Sequence, residues 1–231
     1  MGSILLFLTV PSLYLGLRGK LLYLKKAIIF TLITTILTII TLDYIAQITG
    51  TWLMYPQSIF PFKIIGIVTL EVILWAFFTC FFVIIFYEYF LDKHATKKLW
   101  NPKLKYLFMI SLIVFAIFLF LFFKLPQVLN IPYFYAAWGV VLLLIPFLFQ
   151  LLKYPKTTSK FFLATAYFFY LHFIYEITAL KLGWWTFPGK EFVGWVSVFG
   201  TTFPIEELLF WFILLALGIL SYYEYFDDDE K

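Results

Sequence analysis

Charge is what this chain has least of. Only 13% of its 231 residues are Asp, Glu, Lys or Arg, against 64% hydrophobic ones, and no soluble domain can clothe its surface from that stock. The composition is that of a protein crossing the membrane several times. The one cysteine, Cys80, sits in an apolar run, which excludes an internal disulfide and any CxxC metal site and leaves the thiol as packing. There is no GxGxxG, no Walker loop, no HExxH and no DDxxD. Those gaps remove dinucleotide, nucleotide, zinc-protease and prenyl-diphosphate chemistry, so neither a cofactor nor a metal is expected, and no nucleic-acid partner. The last apolar run has no lysine, which excludes a retinal Schiff base there. No basic residue precedes the first run and MGSILL lacks a hydroxyl at its sixth position, so neither a cleaved leader nor a myristoyl anchor is expected.

What the chain has in excess is rings. Aromatics make up 24%, with 31 Phe, more than interfacial belts use, and predict an interior lined by ring faces. Seven apolar runs stand at about 4–17, 27–48, 64–87, 106–123, 131–152, 161–180 and 203–222, most near the ~20 residues a bilayer requires. Sorted by the loops between them, thirteen basic residues fall on one side and four, Lys63, Lys124, Lys181 and Lys190, on the other. The positive-inside rule then puts the N-terminus outside and the C-terminus in the cytoplasm of a cell-membrane protein. The acidic tail at 227–230 reads as a solvated end.

Against this background the carboxylates stand out, above all in TTFPIEELLFWF, where Glu206 and Glu207 open a run otherwise fit to cross a membrane. An ionised acid at mid-helix costs about 2.5 to 3.5 kcal/mol on insertion scales. One explanation is a helix start, since Pro204 suits a first helical position and acids favour the positive end of the macrodipole. The other is that one of the pair faces a dry pocket, keeps its proton and delivers it to a substrate.

The two halves of the chain repeat each other. Asp43, Gly50 and Trp52 in DYIAQITGTW recur 133 residues on as Glu176, Gly183 and Trp185 in EITALKLGWW. Glu71 in TLEVILWAFF recurs 135 on as Glu206, and YEYF at 87–90 returns at 223–226. The expected fold is therefore all-α, a bundle of about seven spans: a three-helix repeat in 1–92, a linking helix in 93–128 and a second, parallel repeat in 129–231. Sites in such folds lie where the repeats meet. Glu71, seven residues past Ile64, is expected about 10 Å inside its span at 1.5 Å per residue. Asp43, Glu71, Glu176, Glu206 and Glu207 then share one layer, and in low dielectric they cannot all be ionised.

A buried proton donor walled by rings suits a lipid-soluble substrate that passes through a cation, which ring faces stabilise. Trp52, Trp75, Trp184, Trp185, Phe210 and Trp211 are the candidates by position. His172, four residues before Glu176 on the same helix face, is placed to hydrogen-bond that carboxyl.

An acid, a spaced Gly-x-Trp and a PxEE motif opening an aromatic helix resemble the integral-membrane lycopene cyclases, here over most of the chain and in the fused form. The resemblance implies a cofactor-free isomerisation of lycopene to γ- or β-carotene within the bilayer, with other enzymes of carotenoid synthesis or a second copy of the chain as partners. It assigns proton delivery to Glu206 and Glu207, with Glu71 as their counterpart and Asp43 and Glu176 tuning or accepting protons. The first repeat departs from the pattern, with Thr69 for Pro204 and Val72 for Glu207. Two other readings stay open: a small-solute transporter, although its path should be lined by Asn, Gln and Ser, and a non-catalytic carotenoid-binding subunit.

Overall fold

The computed structural model describes residues 2–92, 99 and 101–226. It is a helical bundle in which six helices are long and apolar enough to cross a membrane. We number the helices α1, Gly2–Arg18; α2, Leu21–Ile48; α3, Leu70–Leu91; α4, Leu104–Lys124; α5, Phe134–Lys153; α6, Thr158–Lys181; and α7, Glu207–Phe226. The first of the seven expected runs is a helix, but at 17 residues it falls short of the other six. Lys93, Lys97, Lys98 and Lys231, which entered the charge sorting, and the acidic tail at 227–230 lie outside the described residues.

Two runs begin as helices later than their hydropathy suggests, because each opens with a hairpin strand. Strand β2 (Lys63–Ile64) pairs antiparallel with β3 (Val68–Thr69), and β5 (Trp195–Val198) with β6 (Thr201–Pro204). Phe199-Gly200 is the two-residue turn between β5 and β6, and Ile65-Gly66 opens a three-residue loop, 65–67, between β2 and β3; all four of these residues are at positive φ, as primed turns require. Glu71 is consequently the second residue of α3, not 10 Å inside it, and Thr69 caps the helix, accepting from the Val72 N–H at 3.4 Å. Pro204 ends β6, one residue before the helical backbone begins, instead of occupying the first helical position. Apolarity alone does not separate a buried strand from a helix turn.

The Gly-x-Trp motifs are helix stops. Gly50 (φ 73°) and Gly183 (φ 63°) sit in the left-handed region just past α2 and α6, where a side chain would be strained. In both places the amide three residues past the helix returns to its last turn, Thr51 N to Ala46 O at 2.7 Å and Trp184 N to Ala179 O at 3.0 Å. The reversal carries the chain back over the helix end. Strands β1 (Leu53–Met54) and β4 (Trp185–Thr186) then pair with each other and tie the two reversals together.

Packing uses rings and small residues. A Cβ on Gly139 of α5 would lie 2.2 Å from the Phe210 ring, so that glycine is the slot in which α7 seats. At the end of the bundle remote from the hairpins, Tyr87 donates to Glu224 and Tyr223 donates to Glu88, a crossed pair of buried hydrogen bonds joining α3 to α7. Helix α4 is the least covered of the six, with 11% of its span buried; Phe118 and Phe122 pack on Tyr44 of α2.

Candidate active site in the bilayer-deep cleft

The end of the bundle that carries the hairpins gathers the C-termini of α2 and α6 and the N-termini of α3 and α7. Each expected carboxylate lies there, and each is buried: Asp43, Glu71, Glu176, Glu206 and Glu207 are all at most 5% exposed. Their surroundings sort them into different tasks. Asp43 and Glu176 make the same bond, accepting the indole N–H nine residues later, Trp52 Nε1 and Trp185 Nε1, each at 2.8 Å. The glycine reversal is what brings each indole back to its acid. Asp43 also receives Gln47 Nε2 at 2.7 Å, which occupies both its oxygens, and it does not reach the cleft described below.

Glu71 and Glu206 form a second matching pair. Each holds a backbone amide of the loop ahead of its hairpin, Phe60 N and Val193 N, at 2.6 Å. Such a bond pins the loop to the helix start, and for Glu206 it agrees with the helix-start explanation. The other oxygen of each is buried without a protein partner. Glu71 faces the cleft and Glu206 does not. Of the adjacent pair that opens α7, it is therefore Glu207 that meets the interior.

Glu207 accepts a hydrogen bond from Tyr135, on the first turn of α5. The tyrosine is buried, stacked on Trp138 (5.6 Å between centroids, 12° between planes) and edge-on to Trp52 at 5.7 Å. Sequence reading missed it. An uncharged ring among 16 tyrosines, in a span without an acid, carries no signal until the fold sets it beside Glu207. Trp75 and Trp211 pack ring on ring from α3 and α7, 3.9 Å between centroids with the planes tilted by 31°, and both line the cleft with Trp52, Trp184 and Trp185.

Two expected members are placed elsewhere. Phe210 does not line the cleft; its ring fills the slot at Gly139. His172 makes no hydrogen bond to Glu176. Its ring stacks on Trp211 at 5.0 Å, away from the carboxyl, and packs behind that indole.

The cleft holds about 780 Å³. On α7 it is lined by Glu207, Trp211, Leu215, Ile219, Tyr222 and Phe226, one stripe along the whole helix. At 1.5 Å per residue that stripe is about 28 Å long, nearly the thickness of a bilayer core. Three carboxyls, Glu71, Glu176 and Glu207, face the cleft at one end, and among the described residues no Lys or Arg lines it. Without a cation nearby, ionising two such neighbours together is penalised twice, by desolvation and by mutual repulsion. No group of His, Cys, Asp and Glu among the described residues has the arrangement of a metal site.

Comparison with protein-family models, curated proteins and solved structures finds no match.

Proposed function

We propose that this chain is a carotenoid cyclase of the integral-membrane lycopene cyclase type, an acid-catalysed isomerase that closes the end of a linear polyene into a β-ring without a cofactor. The observation that carries this reading is the combination in one cleft of a lining stripe nearly as long as a bilayer core, three cation-free carboxyls at one end and indoles around them. Such a cleft suits a long apolar ligand threaded along the bilayer normal with its terminus among the acids.

Glu207 is the general acid. Tyr135 donates to one of its oxygens, which leaves the other to carry the proton toward the substrate. That proton goes to the terminal double bond, forming a C–H bond and a tertiary cation. The neighbouring alkene attacks the cation, a C–C bond closes the ring, and the positive charge moves onto the ring carbon. A carboxylate then removes one ring proton and the ring double bond forms. Glu176, oriented by Trp185, is placed for that last step. One proton enters and one leaves, so the product is an isomer and no oxidant or reductant is needed. The indoles that line the cleft stabilise the cation where an open ring face meets it, by about 0.5 to 2 kcal/mol per ring.

The matched bonds at Asp43 and Glu176, at Glu71 and Glu206, and across Tyr87–Glu224 and Tyr223–Glu88 support a further reading of the architecture. Two parallel three-helix repeats face each other, with α4 as the link, the N-terminus outside and the C-terminus in the cytoplasm. Only the second repeat keeps an acid at the Glu207 position, its counterpart being Val72. One ring is then closed per visit, and a two-ringed product requires release and reversal of the chain.

Expression in a bacterium that accumulates lycopene, with chromatography of its pigments, tests the reading. Ringed carotenes are expected. Unchanged lycopene in cells with normal levels of the membrane protein contradicts it and returns the chain to the transporter or carotenoid-binding readings. Transport is less well supported by the lining, which is mostly apolar and in which Gln57, Ser3, Ser58 and Ser111 are the Asn, Gln or Ser side chains among the described residues.

A further inference from the structure

A closed cleft buries its walls. Among the described residues, the exposed ones that line this cleft fall in two places. Gly2 and Gln57 stand at the hairpin end. Ile110 and Val114, 53% and 49% exposed, stand on α4 one helix turn apart, with Leu107 and Ser111 on the same lining stripe. A side chain that lines the cleft and is also half exposed marks a place where the cleft reaches the outside. At 1.5 Å per residue, Ile110 and Val114 lie about 9 and 15 Å from the start of a helix about 31 Å long. This opening is therefore at mid-membrane, where the outside is hydrocarbon.

The opening follows from how the helices pair. Helix α5 is seated on α7 by two glycines: a Cβ on Gly139 would strike the Phe210 ring, and one on Gly218 would lie 2.7 Å from Leu143. Helix α4 has no glycine and packs instead on α2, where Phe118 and Phe122 meet Tyr44 edge-on at 5.4 and 5.3 Å. It is held at both ends. Leu104 and Leu107 join the core cluster of Leu217, Leu220 and Tyr223, and Phe118 joins that of Leu129 and Phe134. Between Leu107 and Phe118, about 16 Å of helix, the α2–α4 pair and the α5–α7 pair part. The first pair presents Ile110, Ser111 and Val114 to the gap, and the second supplies Leu142 and Ile219 to the same lining.

None of these five side chains is charged, and Ser111 alone is polar. A water-soluble ligand gains nothing at such a frame, and a charged headgroup would have to leave the interface to reach it. A hydrocarbon chain is already at that depth and passes from lipid to cleft without meeting water. We propose that this window is a lateral entrance for linear hydrocarbon chains, the acyl chains of neighbouring phospholipids included, which pass from the bilayer into the cleft between α4 and the α5–α7 pair. Ile110 and Val114 form its sill. The entrance serves any long apolar ligand and does not rest on the cyclase reading.

The probe is a phospholipid with a diazirine at the end of one acyl chain, mixed into phosphatidylcholine vesicles that hold the full-length protein. Irradiation followed by peptide mass spectrometry reads which residues the chain end has reached. Val72 and Trp211 are buried and line the cleft, so a lipid chain reaches them through it, and both are expected to carry adducts. Ile110→Phe with Val114→Phe narrows the window and should lower those adducts about fivefold to a hundredfold, the equilibrium value of overpacking. Ile110→Ala with Val114→Ala widens it and should raise them. Met109→Phe with Ile113→Phe adds bulk to α4 at exposed positions outside the cleft and should leave Val72 and Trp211 labelled as in wild type, which separates a narrowed window from a disturbed helix. Absence of adducts at Val72 and Trp211 in wild type, adducts undiminished by Ile110→Phe with Val114→Phe, or equal loss in both pairs of Phe variants overturns the inference.

Discussion

Glu206 and Glu207 are adjacent, chemically identical and equally buried, yet one holds a loop amide and the other faces the cleft on a tyrosine. The two should therefore fail differently. Glu207→Gln removes the proposed proton donor and is expected to lower cyclisation about 10²- to 10⁴-fold, with the protein still accumulating in the membrane. Glu206→Gln keeps an oxygen to accept the Val193 amide, and its activity should stay within a few-fold of wild type. Pigment chromatography normalised to protein level decides between the two, and the reverse ranking would move the chemistry to Glu206. Trp185→Phe takes the hydrogen-bond donor from Glu176 and leaves a buried carboxyl unsatisfied, a loss of about 1 to 3 kcal/mol. It should appear as a lower thermal midpoint in detergent together with slower turnover. That these acids matter was legible from the chain, because carboxyls are costly in apolar runs and recur in register. Which of them face the cleft was not, since adjacent residues of a helix point about 100° apart and only the packing partners fix the rotation. Tyr135 and the redirection of His172 to Trp211 belong to the same class of information.

At the scale of elements, hydropathy found every spanning helix but misjudged where two of them begin. The residues before α3 and α7 are apolar because hairpin faces are buried too, and the left-handed pairs Ile65-Gly66 and Phe199-Gly200 were the local sign that strands, not helix turns, occupy 63–69 and 195–204. Glycines locate the other joints. Gly50→Ala and Gly183→Ala each place a side chain at positive φ, at a cost of about 1 to 2 kcal/mol. Gly50→Ala should be the more damaging, since its Cβ would also lie 3.3 Å from the backbone of Gly189, while nothing lies within 4 Å at Gly183. Thermal unfolding of the two variants in the same detergent checks the order. Gly139→Ala drives a methyl into the Phe210 ring and should cost about 1 to 3 kcal/mol by overpacking. Its effect on turnover tests whether the seating of α7 also sets Glu207.

At the scale of the molecule, the composition alone established a membrane bundle, and the structure adds a cleft whose lining runs the length of α7, with carboxyls at one end. No sequence pattern announced that cleft, because its walls are contributed by helices far apart in the chain and its emptiness is a property of how they fail to touch. The proposed chemistry has a signature that follows from the acid itself: carboxyl protons exchange with solvent, whereas the carbon-bound hydrogens of lycopene do not. The most direct measurement is the mass of the ringed product formed by the full-length protein in lipid vesicles transferred to D2O. The account predicts one deuterium for each ring closed, lost when Glu207 is replaced by Gln. Rings formed without deuterium, or deuterated rings at undiminished rate from Glu207→Gln, would contradict it.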